Sequence, residues 1–282
     1  MSTITSSHTP VPSPVQGGRP VYRVTARRVL RSEWAKLWSL RSTWITLGLG
    51  LLFLVAFGLI ASWHYKSRIT SGDHMDRDFA TSTAVSLSLF GTNFAQLALG
   101  VLGVLVTAGE YSTGMIRSTL AAVPRRLPVL WSKSAVFGAV ALVVGTVGAF
   151  IAFLFGSGIV SGTPAALSIS DPGVVRSLLA AGLYLGLIGV LGTALGALLR
   201  SVAGGISVLV GSLMLVPGLI SLLPSSWQDH VRPYLPSEAG ASMFALHHEA
   251  HTLTPTAGLL VFLAWTGLAM AGASWRLMRT DA

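Results

Sequence analysis

The chain has 282 residues, of which 52% are hydrophobic and only 10% charged, and its mean hydropathy of +0.68 leaves no room for a sizeable water-soluble domain. A net charge of +9 and a pI near 10.8 would suit a nucleic-acid partner, but no basic soluble domain exists to carry one, so no nucleic acid is expected. The absence of cysteine removes disulfide and thiolate chemistry.

In chain order, residues 1–20 are rich in Ser, Thr and Pro and lack the apolar core of a signal peptide, so they read as a disordered arm. Residues 21–43 read as a basic amphipathic helix. At about 100° per residue, Leu30, Trp34, Leu37 and Trp38 share one face and Arg28, Arg31, Ser32 and Lys36 the other, with Arg27 and Glu33 at the margins. Tryptophan opposite Arg and Lys suits a helix lying in the headgroup plane; a soluble helix packed on a partner is the alternative.

Six uncharged stretches follow within a transmembrane domain at 44–276, and a short tail at 277–282 closes the chain. They predict spans near 45–63, 81–108, 134–158, 177–199, 201–223 and 253–275, each offering the roughly 20 residues that a ~30 Å hydrocarbon core requires. The fold class expected is therefore an all-α membrane protein.

The connections alternate in charge. The segments before span one, between spans two and three, between four and five, and after span six carry 7, 4, 1 and 2 Lys/Arg; the other three carry 3, 1 and 1. This bias places both termini in the cytoplasm and the basic segments against anionic lipid. Sixteen Arg against three Lys point to a GC-rich bacterial genome, hence a bacterial cell membrane.

From Phe79 to Gly109 nothing is charged, and thirty-one helical residues would cover roughly 46 Å, demanding strong tilt or projection beyond the bilayer. This span is also polar, with Ser86, Ser88, Thr92, Asn93 and Gln96. Such groups either bond across helices or line a translocation path; Ser88, Thr92, Asn93 and Gln96 are the candidate path residues. Span four carries Gly182, Gly186, Gly189 and Gly196 on one face, with GxxxG spacings at Gly182/Gly186 and Gly192/Gly196, a surface for close helix packing within the chain or between subunits. Pro217-Gly218 should bend span five. Aromatic residues between prolines from Pro224 to Thr252 predict short helices at the outer interface.

The segment from Gly109 to Lys133 is the most specific passage. Ser112 or Thr113 can cap a short helix, Glu110 lies near its positive end, Met115, Ile116 and Leu120 form its apolar face, and Pro124 stops it. Arg117, Arg125, Arg126 and Lys133 hold it at the cytoplasmic headgroups.

This passage resembles the cytoplasmic loop of ABC-2 type permeases of ABC transporters: an acidic residue (Glu110), a glycine (Gly114), a short helix near Met115–Ala122, then Pro124, Arg125/Arg126 and Lys133. The six-span plan, the amphipathic helix containing Arg31-Ser-Glu-Trp-Ala-Lys36 and the short helices before the last span extend the resemblance over the whole layout. The resemblance implies a coupling helix in which Glu110, Tyr111, Gly114, Met115, Arg117, Leu120, Pro124, Arg125 and Arg126 meet a separate ATPase. It further implies two permease subunits, identical or different, with two ATPases per complex, and usually export.

No Gly-Lys dipeptide occurs, so this chain has no P-loop; ATP and magnesium belong to the partner, and no cofactor, metal or catalytic residue is expected here. His247-His248-Glu249-Ala250-His251 lacks the His-Glu-x-x-His order of a zinc peptidase and reads as a polar turn. Asp73, Asp76 and Asp78 lack the turn glycine and close oxygen ligands of a calcium loop.

The function expected is a permease subunit exporting a hydrophobic or amphipathic compound such as a drug, antibiotic or lipid. An ion-coupled secondary carrier is the alternative, although the predicted spans hold no Asp, Glu, Lys or Arg for proton coupling. A non-transporting anchor or resistance protein is a third class.

Overall fold

The computed structural model of the protein describes residues 25–72, 79, 81–115, 126–247 and 251–279. Among the described residues every regular element is helical. Six stretches are long and apolar enough to cross a membrane: Arg41–Ser71, Ala84–Ser112, Leu127–Ile159, Val174–Leu199, Val202–Ile220 and Pro255–Arg279. The chain is an all-α membrane protein.

Helix α1 (Ala26–Ser39) ends where Leu40 turns extended, and α2 (Arg41–Ser71) begins one residue later. The face that α1 buries is Val29, Glu33 and Leu37, whereas Leu30, Trp34 and Trp38 stay exposed. Leu37 was expected among the tryptophans and Glu33 at a margin. Both instead lie on the stripe that meets the bundle, because residues four apart stack on one side of a helix.

Span two is not one continuous helix from Phe79. It opens at Thr83, whose hydroxyl accepts from the Ser86 amide at 3.2 Å while the Ser86 hydroxyl accepts from the Thr83 amide at 2.9 Å. It then runs as α3 (Ala84–Ser88), a 3-10 turn at Leu89–Gly91, and α4 (Thr92–Ser112). The later start shortens the span only slightly: Ala84–Ser112 is still 29 residues, roughly 44 Å of helix, so it exceeds a ~30 Å core and must tilt or project beyond it. At the 3-10 turn, α2 and span two touch backbone to backbone: a side chain at Gly91 would overlap the Leu54 carbonyl oxygen, and one at Gly58 that of Ser88.

Next come α5 (Arg126–Ile159) and α6 (Val174–Leu199). Helix α6 is the most enclosed of the six spans, 72% of its most apolar stretch being buried. Its glycines serve two neighbours rather than one face. Gly182, Gly186 and Gly189 meet Thr146, Leu142 and Phe137 of α5, while Gly192 and Gly196 meet the Gly100 and Val104 carbonyl oxygens of α4. Both contacts lie within the chain.

Span five comprises α7 (Val202–Val210), a π-helical turn at Gly211–Leu215 and α8 (Val216–Ile220), so its irregularity precedes Pro217. Proline at this position has no amide to donate to a carbonyl in the preceding turn, and the wider turn absorbs that loss. Only 17% of this span's most apolar stretch is buried.

Short helices α9 (Ser225–Val231) and α10 (Pro236–Phe244), with a 3-10 turn at Arg232–Tyr234 between them, precede α11 (Pro255–Arg279), as the aromatic and proline pattern predicts. The core is one cluster around Phe137, Tyr184, Leu185, Ile188 and Phe262, with a second around Tyr65, Phe153 and Leu178.

Two faces of the bundle are defined by contacts. On one, α1, the end of α4, the start of α5, the α6–α7 turn and the end of α11 meet; on the other, α9 and α10 border one cavity and Arg176 at the start of α6 donates to the Ala245 carbonyl just beyond α10.

Candidate functional site

The first face contains a closed ring of four charges. Lys133 Nζ lies 2.7 Å from Glu33 Oε2 and 2.8 Å from Glu110 Oε1; Lys36 Nζ lies 2.8 Å from Glu33 Oε1 and 3.1 Å from Glu110 Oε1. Each lysine touches both carboxylates, and the four formal charges cancel. Three elements build the ring: α1 contributes Glu33 and Lys36, α4 contributes Glu110, and α5 contributes Lys133.

The sequence explains the placement on α1. A four-residue stripe places Glu33 between Val29 and Leu37, so docking that face against the bundle buries a carboxylate, which is tolerable only with cations beside it. Lys133, expected at the headgroups, is instead only 4% exposed, lying nearly two turns inside α5. Burial alone would raise the Glu33 pKa; the Lys133 charge and hydrogen bond, then those of Lys36, outweigh it and hold the carboxyl below its ordinary range. For Lys36 burial would lower the pKa, but Glu33 and then Glu110 push it above the ordinary lysine value.

Both lysines converge on Glu110 Oε1. Its other oxygen, Oε2, is buried and accepts no hydrogen bond among the described residues. A cavity of about 410 Å3 adjoins the ring, walled by Leu37, Leu40, Leu105, Val106 and Met115.

Tyr111, the next residue along, points away from the ring: the Arg200 guanidinium lies 5.1 Å from its ring centroid. Arg200 occupies the α6–α7 turn in a left-handed conformation (φ 52°), and Arg276 of α11 donates to the Leu198 carbonyl beside it. The foot of span two is thus gripped on two sides. Glu110 ties it to α1 and α5, and Tyr111 ties it to the α6–α7 turn. Beyond it, Ser112 and Thr113 hydroxyls donate back to the Gly109 carbonyl at 3.0 and 2.9 Å, and Gly114 turns left-handed (φ 72°), so α4 stops there.

Of the other expected coupling residues, Met115 lines the cavity and Arg126 opens α5, while Arg117, Leu120, Pro124 and Arg125 lie outside the described residues. Arg28 and Arg31 are exposed on α1. Trp34 and Trp38 meet edge to face at 5.2 Å, and Trp38 meets Trp44 of α2 at 4.0 Å with the rings tilted by 43°.

The candidate path residues do not share one environment. Ser88, Thr92 and Gln96 are buried, whereas Asn93 is exposed with its amide donating to the Phe90 carbonyl at 3.1 Å. Gln96 accepts from the Tyr184 hydroxyl of α6, the contact that sequence reasoning missed, since nothing in span four marks Tyr184 as the partner of an amide in span two. Ser88 and Thr92 hydroxyls have no partner among the described residues. Tyr184 also packs against Phe262 at 5.1 Å and Phe244 at 5.8 Å, joining α10 and α11 to the same point.

On the opposite face, His247 and His251 border a polar cavity with Asp229, Arg232 and Glu238. Among the described residues no cluster of three or more metal-ligating side chains occurs; His248 and Glu249, like Asp73, Asp76 and Asp78, lie outside them.

Neither a family model nor a curated protein matches this sequence.

Proposed function

We propose that this chain is the transmembrane subunit of an ATP-binding cassette transporter of the ABC-2 type, working as an exporter of hydrophobic or amphipathic compounds. A separate ATPase drives it through the segment after span two, on the cytoplasmic side. The observation that carries this reading is the double grip on adjacent residues Glu110 and Tyr111. A segment that merely links two spans needs no such anchorage. Force applied just beyond Tyr111 would reach α1 and α5 through the charge ring, and α6, α7 and α11 through Arg200 and Arg276. The 3-10 turn and the π turn are compliant points in spans two and five where rigid segments can pivot.

The test is co-expression with a candidate ATPase of the ATP-binding cassette type, followed by purification of the complex. Glu110→Gln and Arg117→Ala should each lower ATP hydrolysis or weaken assembly while the permease remains monodisperse. Full assembly and unchanged hydrolysis in both variants would remove the coupling assignment.

A further inference from the structure

The charges of α1 fall into two systems. Between residues 1 and 72 the sole acidic residue is Glu33, and its carboxylate is buried in the ring with Lys36 and Lys133. Nothing acidic on α1 or α2 is left to offset the arginines on the outward side. Arg27 and Arg31 are exposed there, and neither has a hydrogen bond or ion pair among the described residues.

Docking also decides what stands beside these arginines. Val29, Glu33 and Leu37 face the bundle, which turns the boundary between the aromatic and basic sides of α1 outward. At about 100° per residue, Arg27, Arg31, Trp34 and Trp38 then share a stripe roughly 60° wide. The stripe continues onto a membrane-crossing helix. Trp44 of α2 donates through Nε1 to the Trp38 carbonyl at 3.3 Å, so the last turn of α1 is tied to the first turn of a span. Trp34, Trp38 and Trp44 are 46%, 38% and 50% exposed. Indole rings settle where headgroups meet acyl chains, and a ledge of three that includes the start of a span lies at that depth. Arg31 and Arg27 stand one and two turns beyond the ledge on a helix whose buried stripe keeps it alongside the bundle, level with lipid phosphates.

We propose that this stripe binds anionic phospholipid from the leaflet in which α1 lies, Arg27 and Arg31 donating to phosphodiester oxygens and the Trp34, Trp38 and Trp44 rings lying against the upper acyl chains. A guanidinium matches a phosphate with two parallel N–H donors. A zwitterionic lipid offers the same phosphate with its own cation beside it, which offsets the attraction. An acidic protein surface would also suit the arginines, but the tryptophan ledge running onto a span favours lipid. Helix α1 is then held from two sides, by the buried ring within and by lipid phosphates without. The site belongs to α1 and α2 and stands whether or not an ATPase drives the chain.

The test titrates the full chain, in a neutral detergent, with dioleoyl phosphatidylglycerol or dioleoyl phosphatidylcholine and reads the first bound lipid by native mass spectrometry. Phosphatidylglycerol should bind at least about fivefold more tightly, the scale of one arginine beside an anionic headgroup. Arg27→Gln combined with Arg31→Gln should bring the two lipids to equal affinity. Arg27→Lys combined with Arg31→Lys keeps both charges and should keep most of the preference, which separates lost charge from a damaged helix. Equal affinities in the wild type, a preference that survives the first pair of changes, or one that is lost equally in both pairs would overturn the proposal. So would a first pair that leaves lipid preference intact and blocks only ATPase assembly, since the stripe would then be a protein-docking surface.

Discussion

Glu33 Oε2 and Lys133 Nζ lie 2.7 Å apart, a hundred residues distant in sequence, with 3% and 4% of their side chains exposed. The contact fastens the amphipathic helix to the third span, and it does so where neither charge can be left alone. A buried pair of this kind holds two elements in one register rather than adding much net stability.

That asymmetry gives the first prediction. Glu33→Met or Lys133→Met alone leaves the buried cluster with one uncompensated charge and should cost up to about 3–5 kcal/mol. The double variant removes both charges, keeps Lys36 paired with Glu110, and should lie closer to wild type than either single change. Equilibrium unfolding in mixed micelles measures all three. Single variants as mild as surface changes, about 0.5 kcal/mol, would contradict the buried ring.

The ring also fixes the pH dependence. Glu33 is held below its ordinary pKa of 4.5, so its contribution is present above that value and is lost as pH falls through the lower folded value. Lys36 is raised above its ordinary 10.5, so its contribution is complete below that value and is lost as pH rises through the higher folded one. The melting temperature should hold a plateau between these limits and fall on the acid side below about pH 4.5. Glu33→Gln should blunt the acid fall, and an acid limb unaltered by that change would assign it elsewhere.

The Tyr184–Gln96 contact joins spans four and two at a fully enclosed point. Tyr184→Phe leaves the Gln96 oxygen without that donor and should cost about 1–3 kcal/mol. Combining it with Gln96→Leu should recover part of the loss, with a coupling of about 0.5–3 kcal/mol in a double-mutant cycle. Strict additivity would mean that the two side chains do not depend on each other.

Glycines in this bundle divide by what surrounds them. Gly192→Ala would drive a methyl into the Gly100 carbonyl and should cost about 1–3 kcal/mol. Gly267→Ala, where nothing lies within 4 Å, should be neutral or stabilising by up to about 1 kcal/mol. Thermal shift of the two variants side by side separates packing from intrinsic propensity.

The proposed orientation is tested with single cysteines on the cysteine-free chain. Ser161→Cys and Ser226→Cys should react with an impermeant maleimide in intact cells, and Ser32→Cys only after permeabilisation. The reverse pattern would invert the protein and remove the proposed ATPase site from the cytoplasm.

Length and apolarity determined the class, the number of spans and the short helices between Pro224 and Thr252, because a bilayer demands about 20 apolar residues per crossing and the backbone must satisfy itself within each. The same sequence also marked the foot of span two through Glu110, Tyr111 and Gly114. Tertiary structure decided which face of α1 docks, that Glu33 and Lys133 meet, that Arg200 covers Tyr111, and that the α6 glycines divide between two neighbours. The physical reason is range. Hydropathy is a sum over adjacent residues, whereas an ion ring or a shared packing surface depends on how distant helices are rotated about their axes, and that rotation is set only when all of them pack together.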